Sequence, residues 1–262
     1  LCSDIDERGS SGRSVVVIPC FNEVHRLDIE QVAHLLADER TTVLFVDDGS
    51  KDGTAELLDR LRSEYLGRVF VEHFPNNRGK AEAVRHGFEV AFRLEPECVG
   101  YLDADFAASA SEYLRLIDAL LQSPEVNVVL GARVALLGSR IERSPVRHYL
   151  GRIFGSFASA ILGLRVYDTQ CGAKVFRLEP RLIEAMSEPF ISRWVFDVEI
   201  LSRLTNEGYR SPPITTDQFV EVPLREWRDI AGSNLQPRDM ARSLWDLLAI
   251  WLRRRRQNGI VR

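Results

Sequence analysis

With 262 residues the chain is long enough for one large α/β domain or two small ones, and 45% hydrophobic with 27% charged residues is an ordinary globular composition. Lys and Arg number 34 against 38 Asp and Glu, so the net charge of −4 argues against general nucleic-acid binding. The four cysteines (Cys2, Cys20, Cys98, Cys171) are too scattered for a metal-ligand motif and read as reduced thiols in a cytosolic setting, and no apolar run approaches the ~18 residues of a membrane span or forms a secretory leader.

Residues 1–13 are polar, Gly/Ser-rich and without period, which predicts a flexible tail. From Ser14 onward, short apolar runs alternate with amphipathic segments. "SVVVI" (14–18) reads as a buried strand and "IEQVAHLLADE" (29–39) as a helix. "TVLFV" (42–46), "RVFVE" (68–72), "CVGYL" (98–102) and "VNVVLG" (126–131) read as further strands. Helices are predicted between them at 54–65, 80–94 and 111–122. Such alternation predicts a parallel, doubly wound sheet. After Arg133 the rhythm breaks: a Pro-started helix at 145–164, a strand in "CGAKVFR", a helix in "VFDVEILSRLTNEG", a strand in "FVEVPLREW" and a closing helix near 237–256. No repeat or linker interrupts this, so one domain is expected, with a C-terminal half on the acceptor side.

Ligands of such sheets bind at the carboxyl ends of the strands. Those ends carry "PCFNE", "DDGSKDG", "PNNRGK", "DADF" and "GAR". No GxGxxG follows the first strand, which counts against a dinucleotide oxidoreductase, and "RGKA" lacks the other residues of a Walker A loop. What remains is an acidic set of Glu23, Asp47, Asp48, Asp103 and Asp105. Asp103 and Asp105, two residues apart at a strand end, can curl to share one hard cation, which would neutralise a diphosphate. Capping of the next helix is the competing role for them, although Ser109 and Ser111 lie nearer. Asp47 and Asp48 precede Gly49, where one carboxylate can face a base or ribose and both can simply make a turn. Glu23, beside Pro19 and Asn22, is open to the same two readings.

Taken together, "VVVIPCFNE", "VDDGSKDGT", "NNRGKAEAVRHG" and "YLDADF" resemble glycosyltransferase family 2, with the GT-A fold, from about Val15 to Leu235. "RVYDTQCGAKVFR", "RWVFDVEIL" and "EVPLREWRDIAGSNL" are similar to the dolichyl-phosphate β-glucosyltransferase branch, with polyprenyl-phosphate mannosyltransferases next. The resemblance implies a GT-A domain over 14–235 and, after it, an amphipathic, Arg-rich helix over 236–262. It implies inverting transfer from a nucleotide sugar, UDP-glucose in the first instance and GDP-mannose as the alternative, to a polyprenyl phosphate. Asp103 and Asp105 match the pair that holds Mg2+ or Mn2+. Pro19, Phe21, Glu23, Val46, Asp48, Arg78, Lys80 and Ala104 match donor-binding positions, and Arg133 matches the arginine of the GxR strand end, which binds phosphate at the reaction centre. Arg147 or Arg152 corresponds to a second acceptor-phosphate arginine. The family often has Gly-Ser-Lys where this chain has Gly232-Ser233-Asn234, which removes a positive charge unless Arg225, Arg228 or Arg238 replaces it.

A phosphate acceptor is largely a dianion at neutral pH and needs arginines more than a base. Arg133, Arg140, Arg143, Arg147 and Arg152 are available for this, with solvated helix charges as the plainer reading. A hydroxyl acceptor would need a base, for which Asp197 is the candidate catalytic residue, with a structural role as the other reading. Trp194 could stack on a sugar but is expected to fill the core. A soluble acceptor and a catalytically silent sugar-nucleotide-binding module are the remaining alternatives. "SLWDLLAIWLRRRRQ" (243–257) has the apolar stripe, tryptophans and basic end of an interfacial helix; packing on the domain is its alternative. "IFGSFASAILGL" is a second apolar surface candidate. The resemblance thus implies a cytoplasmic enzyme peripherally associated with the inner leaflet of a membrane.

Overall fold

A computed structural model describes residues 14–142, 145–228 and 237–259, and their side chains apart from 142, 145–153 and 237–242. The expected tail (1–13), Arg143, the Gly232-Ser233-Asn234 substitution and the side chains of Arg147, Arg152 and Arg238 lie outside the described residues. The first half follows the predicted alternation: β1 (Ser14–Cys20), α1 (Ile29–Ala37), β2 (Thr41–Asp47), α2 (Thr54–Glu64), β3 (Val69–His73), α3 (Lys80–Phe92), β4 (Cys98–Leu102), α4 (Ala110–Leu121) and β5 (Val128–Ala132). Beyond it come β6 (Arg140–Glu142), α5 (Pro145–Leu162), β7 (Ala173–Arg177), α6 (Pro180–Met186), α7 (Phe196–Leu204), β8 (Phe219–Pro223), β9 (Glu226–Arg228) and α8 (Pro237–Gln257).

Seven strands form one sheet in the order β3-β2-β1-β4-β7-β5-β8. Every neighbouring pair is parallel except where β7 runs antiparallel between β4 and β5. β6 and β9 pair separately and in parallel. "FVEVPLREW" is thus two strands in two sheets, and β6 and α6 are elements the sequence pattern did not single out. Both faces of the sheet are covered, which is why the central strands read as continuous apolar runs. On one face Val15, Val17, Leu44 and Phe176 pack with α3, α5, α6, α7 and Leu247 of α8. On the other, Val16, Ile18, Phe45 and Val175 meet residues of α1, α2 and α4. Ser109 caps α4, its hydroxyl accepting from the Glu112 N–H at 3.4 Å. The carboxylates of Asp103 and Asp105 are therefore not the helix cap.

The antiparallel course of β7 matters for the rim. Its first residue stands level with the end of β4, to which it runs antiparallel, since Ala173 pairs with Leu102. The loop before β7 thereby joins the loops that follow β1, β2, β4 and β5.

Candidate active site

The loop after β1 is stapled to the loop after β2. The Asn22 N–H donates to Ser50 Oγ at 2.9 Å and the Glu23 N–H to Thr54 Oγ1 at 2.8 Å. Gly49 adopts φ 73°, and a Cβ there would stand 2.7 Å from the Asn76 carbonyl carbon, so only glycine lets the loops after β2 and β3 touch. Across this contact Asp48 accepts from the Arg78 N–H (2.6 Å) and the Gly79 N–H (2.8 Å). Burial raises the Asp48 carboxyl, and these two donors hold it back. Asp47 turns the other way, accepting from the Ser50 N–H and lying 3.2 Å from His73 Nδ1.

Strand β4 ends in the acidic pair. The Asp103 N–H donates to the Gly172 carbonyl at 3.0 Å, and a Cβ on Gly172 would lie 2.2 Å from Asp103 Oδ2, so a glycine before β7 leaves room for this carboxylate. Asp105 accepts from the Ala107 N–H at 3.1 Å, and Phe106 between them has φ 49°, a strained value for a bulky residue. Lys80 Nζ stands 2.6 Å from Asp103 Oδ1, and Arg26 Nη2 stands 3.5 Å from Asp105 Oδ2. Burial alone would lower the Lys80 pKa, but Asp103, Asp197 and Asp105 together raise it. Burial pushes the Asp105 carboxyl up, and the neighbouring Asp103 charge adds to this. Glu23 joins the cluster: burial carries its carboxyl up to about 7, Arg26 opposes, and Asp105, Asp103 and Asp52 reinforce the rise.

This donor set suits a hard divalent cation. Among the described residues no three His, Cys, Asp or Glu side chains are grouped to hold a metal by themselves. Two carboxylates completed by phosphate oxygens and water is, however, the usual Mg2+ arrangement. The ammonium at ion-pair distance from Asp103 shows that the pocket accommodates positive charge at this carboxylate.

Arg133 follows β5. Its Nε and Nη2 donate to Asp168 at 2.6 and 2.8 Å, its backbone N–H donates to the same carboxylate at 3.1 Å, and the Trp227 ring lies 5.3 Å from its Cζ. Burial would raise the Asp168 carboxyl, but the hydrogen bonds and charge of Arg133 bring it down to about 2. Arg140, by contrast, is exposed and 3.8 Å from Glu226.

Pro19, Phe21, Glu23, Asp48, Arg78, Lys80, Asp103, Ala104, Asp105 and Arg133 all lie at or beside the carboxyl rim of the sheet. Three expectations are corrected. Val46 has no exposed surface: β2 pairs it on both sides and its side chain lies in the core, one residue before the end of β2, so no side-chain contact with a donor is open to it. Asp197 is buried 2.7 Å from Lys174 Nζ, not open to an acceptor hydroxyl. Trp194 is 61% exposed and fills no core. Arg26, Asp168, Lys174 and Arg193 were missed. Arg193 donates to Asn77 Oδ1 at 3.1 Å, and its charge joins the two backbone donors in opposing the rise that burial gives the Asp48 carboxyl. Only Lys174 carried a local signal, a lone lysine inside the apolar strand "AKVF".

The sequence model described as glycosyl transferase family 2 matches residues 15–181. A dolichyl-phosphate β-glucosyltransferase of Trichomonas vaginalis is 30% identical over 249 residues, covering 90% of this chain and 72% of the relative. The polyprenol monophosphomannose synthase of Mycolicibacterium smegmatis is 27% identical, covering 95% of this chain and 92% of its own. Among solved structures, the glucosyl-3-phosphoglycerate synthase of Mycobacterium tuberculosis in complex with Mn2+, UDP and glucosyl-3-phosphoglycerate superposes with a TM-score of 0.62. That match has 20% identity and covers 92% of this chain and 79% of the other. At that identity the likeness speaks for the fold, and the fold is the GT-A type that the resemblance implies.

Proposed function

The chain belongs to glycosyl transferase family 2, and we propose on that premise that it moves glucose from UDP-glucose to a polyprenyl phosphate, with inversion, at the cytoplasmic face of a membrane. The observation that carries this reading is the position of Asp197. A hydroxyl acceptor needs a base to take its proton, and this carboxylate is buried and engaged by Lys174. A phosphate monoester brings its own charge, with a second pKa near ~6, and asks only to be held and aimed. Arg133 is the group suited to hold it.

In the transfer, an acceptor phosphate oxygen attacks the anomeric carbon as the bond from that carbon to the UDP oxygen breaks. The bonding pair leaves with the diphosphate, and the configuration inverts. Asp103 and Asp105 would hold Mg2+ or Mn2+, which when bound neutralises charge on the leaving diphosphate. Lys80, 2.6 Å from Asp103, stands on the same side to meet a phosphate oxygen. Asp48 fixes the 78–79 backbone and offers its remaining lone pairs to the nucleoside. Pro19, Phe21, Glu23, Arg78 and Ala104 complete the donor rim, and Arg147 or Arg152 of α5 would be the second acceptor arginine.

A mannosyl donor is the second reading, favoured by the extent of the match to the mannose synthase. A panel of sugar nucleotides with Mg2+ or Mn2+, with and without a short polyprenyl phosphate, separates the two. UDP-glucose turnover that depends on the lipid phosphate is expected. Preference for GDP-mannose would move the donor assignment, and turnover on a soluble acceptor without lipid would overturn the acceptor.

A further inference from the structure

Arg133 is anchored more firmly than a rim arginine needs to be. A guanidinium presents five N–H donors in a rigid fork. Two of these, on Nε and Nη2, are taken by Asp168, the remaining donors have no hydrogen-bond partner among the described residues, and the Asp103 charge acts on the same guanidinium. The Trp227 ring covers it at 5.3 Å. Asp168 is in turn held from behind. Its N–H donates to Glu221 Oε1 at 3.0 Å, the Tyr167 N–H donates to both oxygens of Glu221 at 2.9 and 2.8 Å, and Asp168 Oδ1 accepts from the Gln170 N–H at 3.2 Å. A relay therefore runs from the edge strand β8 through the loop before β7 to one arginine.

We propose that Asp168 is a positioning residue for the glycosyl acceptor, fixing the Arg133 fork in the orientation that receives the acceptor phosphate and acting through Arg133 alone. The inference rests on the reading of Arg133 as the acceptor-phosphate group. A free arginine would lose its rotamer freedom at each binding event; one held beforehand does not, so binding free energy is spent on the acceptor. Stability is a weak reason for the pair, because buried ion pairs add little over apolar packing.

The test is Asp168→Asn with Asp168→Glu beside it, the second keeping the charge while moving the carboxylate by one methylene. In both, the KM for a short polyprenyl phosphate is expected to rise about tenfold or more, the change typical of a lost charge-assisted hydrogen bond. UDP affinity by calorimetry should be unchanged, whereas the melting temperature should fall in Asp168→Asn, which leaves the Arg133 charge unpaired, and less in Asp168→Glu, so turnover is compared below both transitions. In an Arg133→Lys background Asp168→Asn should add nothing, since both act on one contact. Additive effects, a parallel loss of UDP affinity, an unchanged acceptor KM or failure of both variants to fold would each overturn the inference. Absence of wild-type turnover with the lipid phosphate would instead overturn the acceptor assignment on which it rests.

Discussion

Lys174 has no exposed surface and uses its three ammonium protons on Tyr101 Oη (2.9 Å), the Cys171 carbonyl (2.5 Å) and Asp197 Oδ1 (2.7 Å). Burial pushes the lysine down to about 8 and the aspartate up to about 7, against the pull of Lys80 on the aspartate, so each is disfavoured as an ion by its surroundings while the 2.7 Å contact pairs the two. Removing the lysine leaves the buried Asp197 carboxylate without its direct partner, with only the Lys80 charge to oppose its burial. Lys174→Met should therefore cost about 3–5 kcal/mol in urea denaturation, and Lys174→Met with Asp197→Leu should regain most of it. A double variant as unstable as the single one would show that the charges themselves are not the cause. The lysine was visible in the sequence as a polar break in "AKVF", but "VFDVE" holds no sign of what lies beneath Asp197. The acidic pair was legible because two carboxylates at a strand end have few uses. Arg26 was not, because only the folded loop turns it toward Asp105 and Glu23.

At the scale of elements, the parallel strands were readable because burial on both faces writes itself as "VVVI" and "TVLF". The direction of β7 was not, since a strand of five residues has the same pattern either way round. The same distinction governs α8, whose sequence shows one apolar stripe with a basic end. Folded, the helix divides that stripe. Leu247 and Ile250 are buried against the domain, while Leu244, Trp245, Leu248 and Leu252 face outward. The arginines are divided too: Arg253 pairs with Glu188, Arg254 donates to the Ser202 carbonyl, and Arg255 lies over the Trp251 ring. Among the described residues no helix is long and apolar enough to cross a membrane. If α8 meets a bilayer it does so through its outward face, mainly by apolar insertion. Trp245→Ser with Leu248→Ser should weaken binding to vesicles of mixed neutral and anionic lipid by about a hundredfold or more, at about 1.5–3 kcal/mol for each large side chain. Far-ultraviolet circular dichroism should be unchanged. Unaltered sedimentation with vesicles would remove this helix from the membrane proposal. Point variants are preferred to deletion of the helix, which would also remove Leu247 from the core.

Over the whole molecule, the reversed β7 has the largest consequence. By inserting one antiparallel strand between β4 and β5, the chain brings the loop that carries Asp168 and Gly172 to the rim that carries Glu23, Asp48, Asp103 and Arg133. α3 adds Lys80 from the same side, and its ammonium feels Asp197 of α7. A ligand in this rim would touch loops from both halves of one sheet, so its binding free energy should appear as stability of the whole fold. At about a hundred times its dissociation constant, UDP with Mn2+ should add roughly 2.7 kcal/mol, and about 2–4 °C per kcal/mol for a chain of this size gives a rise of roughly 5–10 °C in melting temperature. With EDTA in place of Mn2+ the same UDP should give a smaller rise, because the diphosphate then meets Asp103 and Asp105 without a cation between them. Asp105→Asn separates the terms. Replacing a partly buried carboxylate raised by burial and by Asp103 should leave the ligand-free melting temperature equal or higher, while abolishing the increment that Mn2+ adds to UDP. An equal shift with and without metal, or a metal increment that survives in Asp105→Asn, would mean that the two carboxylates serve the loop and not the leaving group.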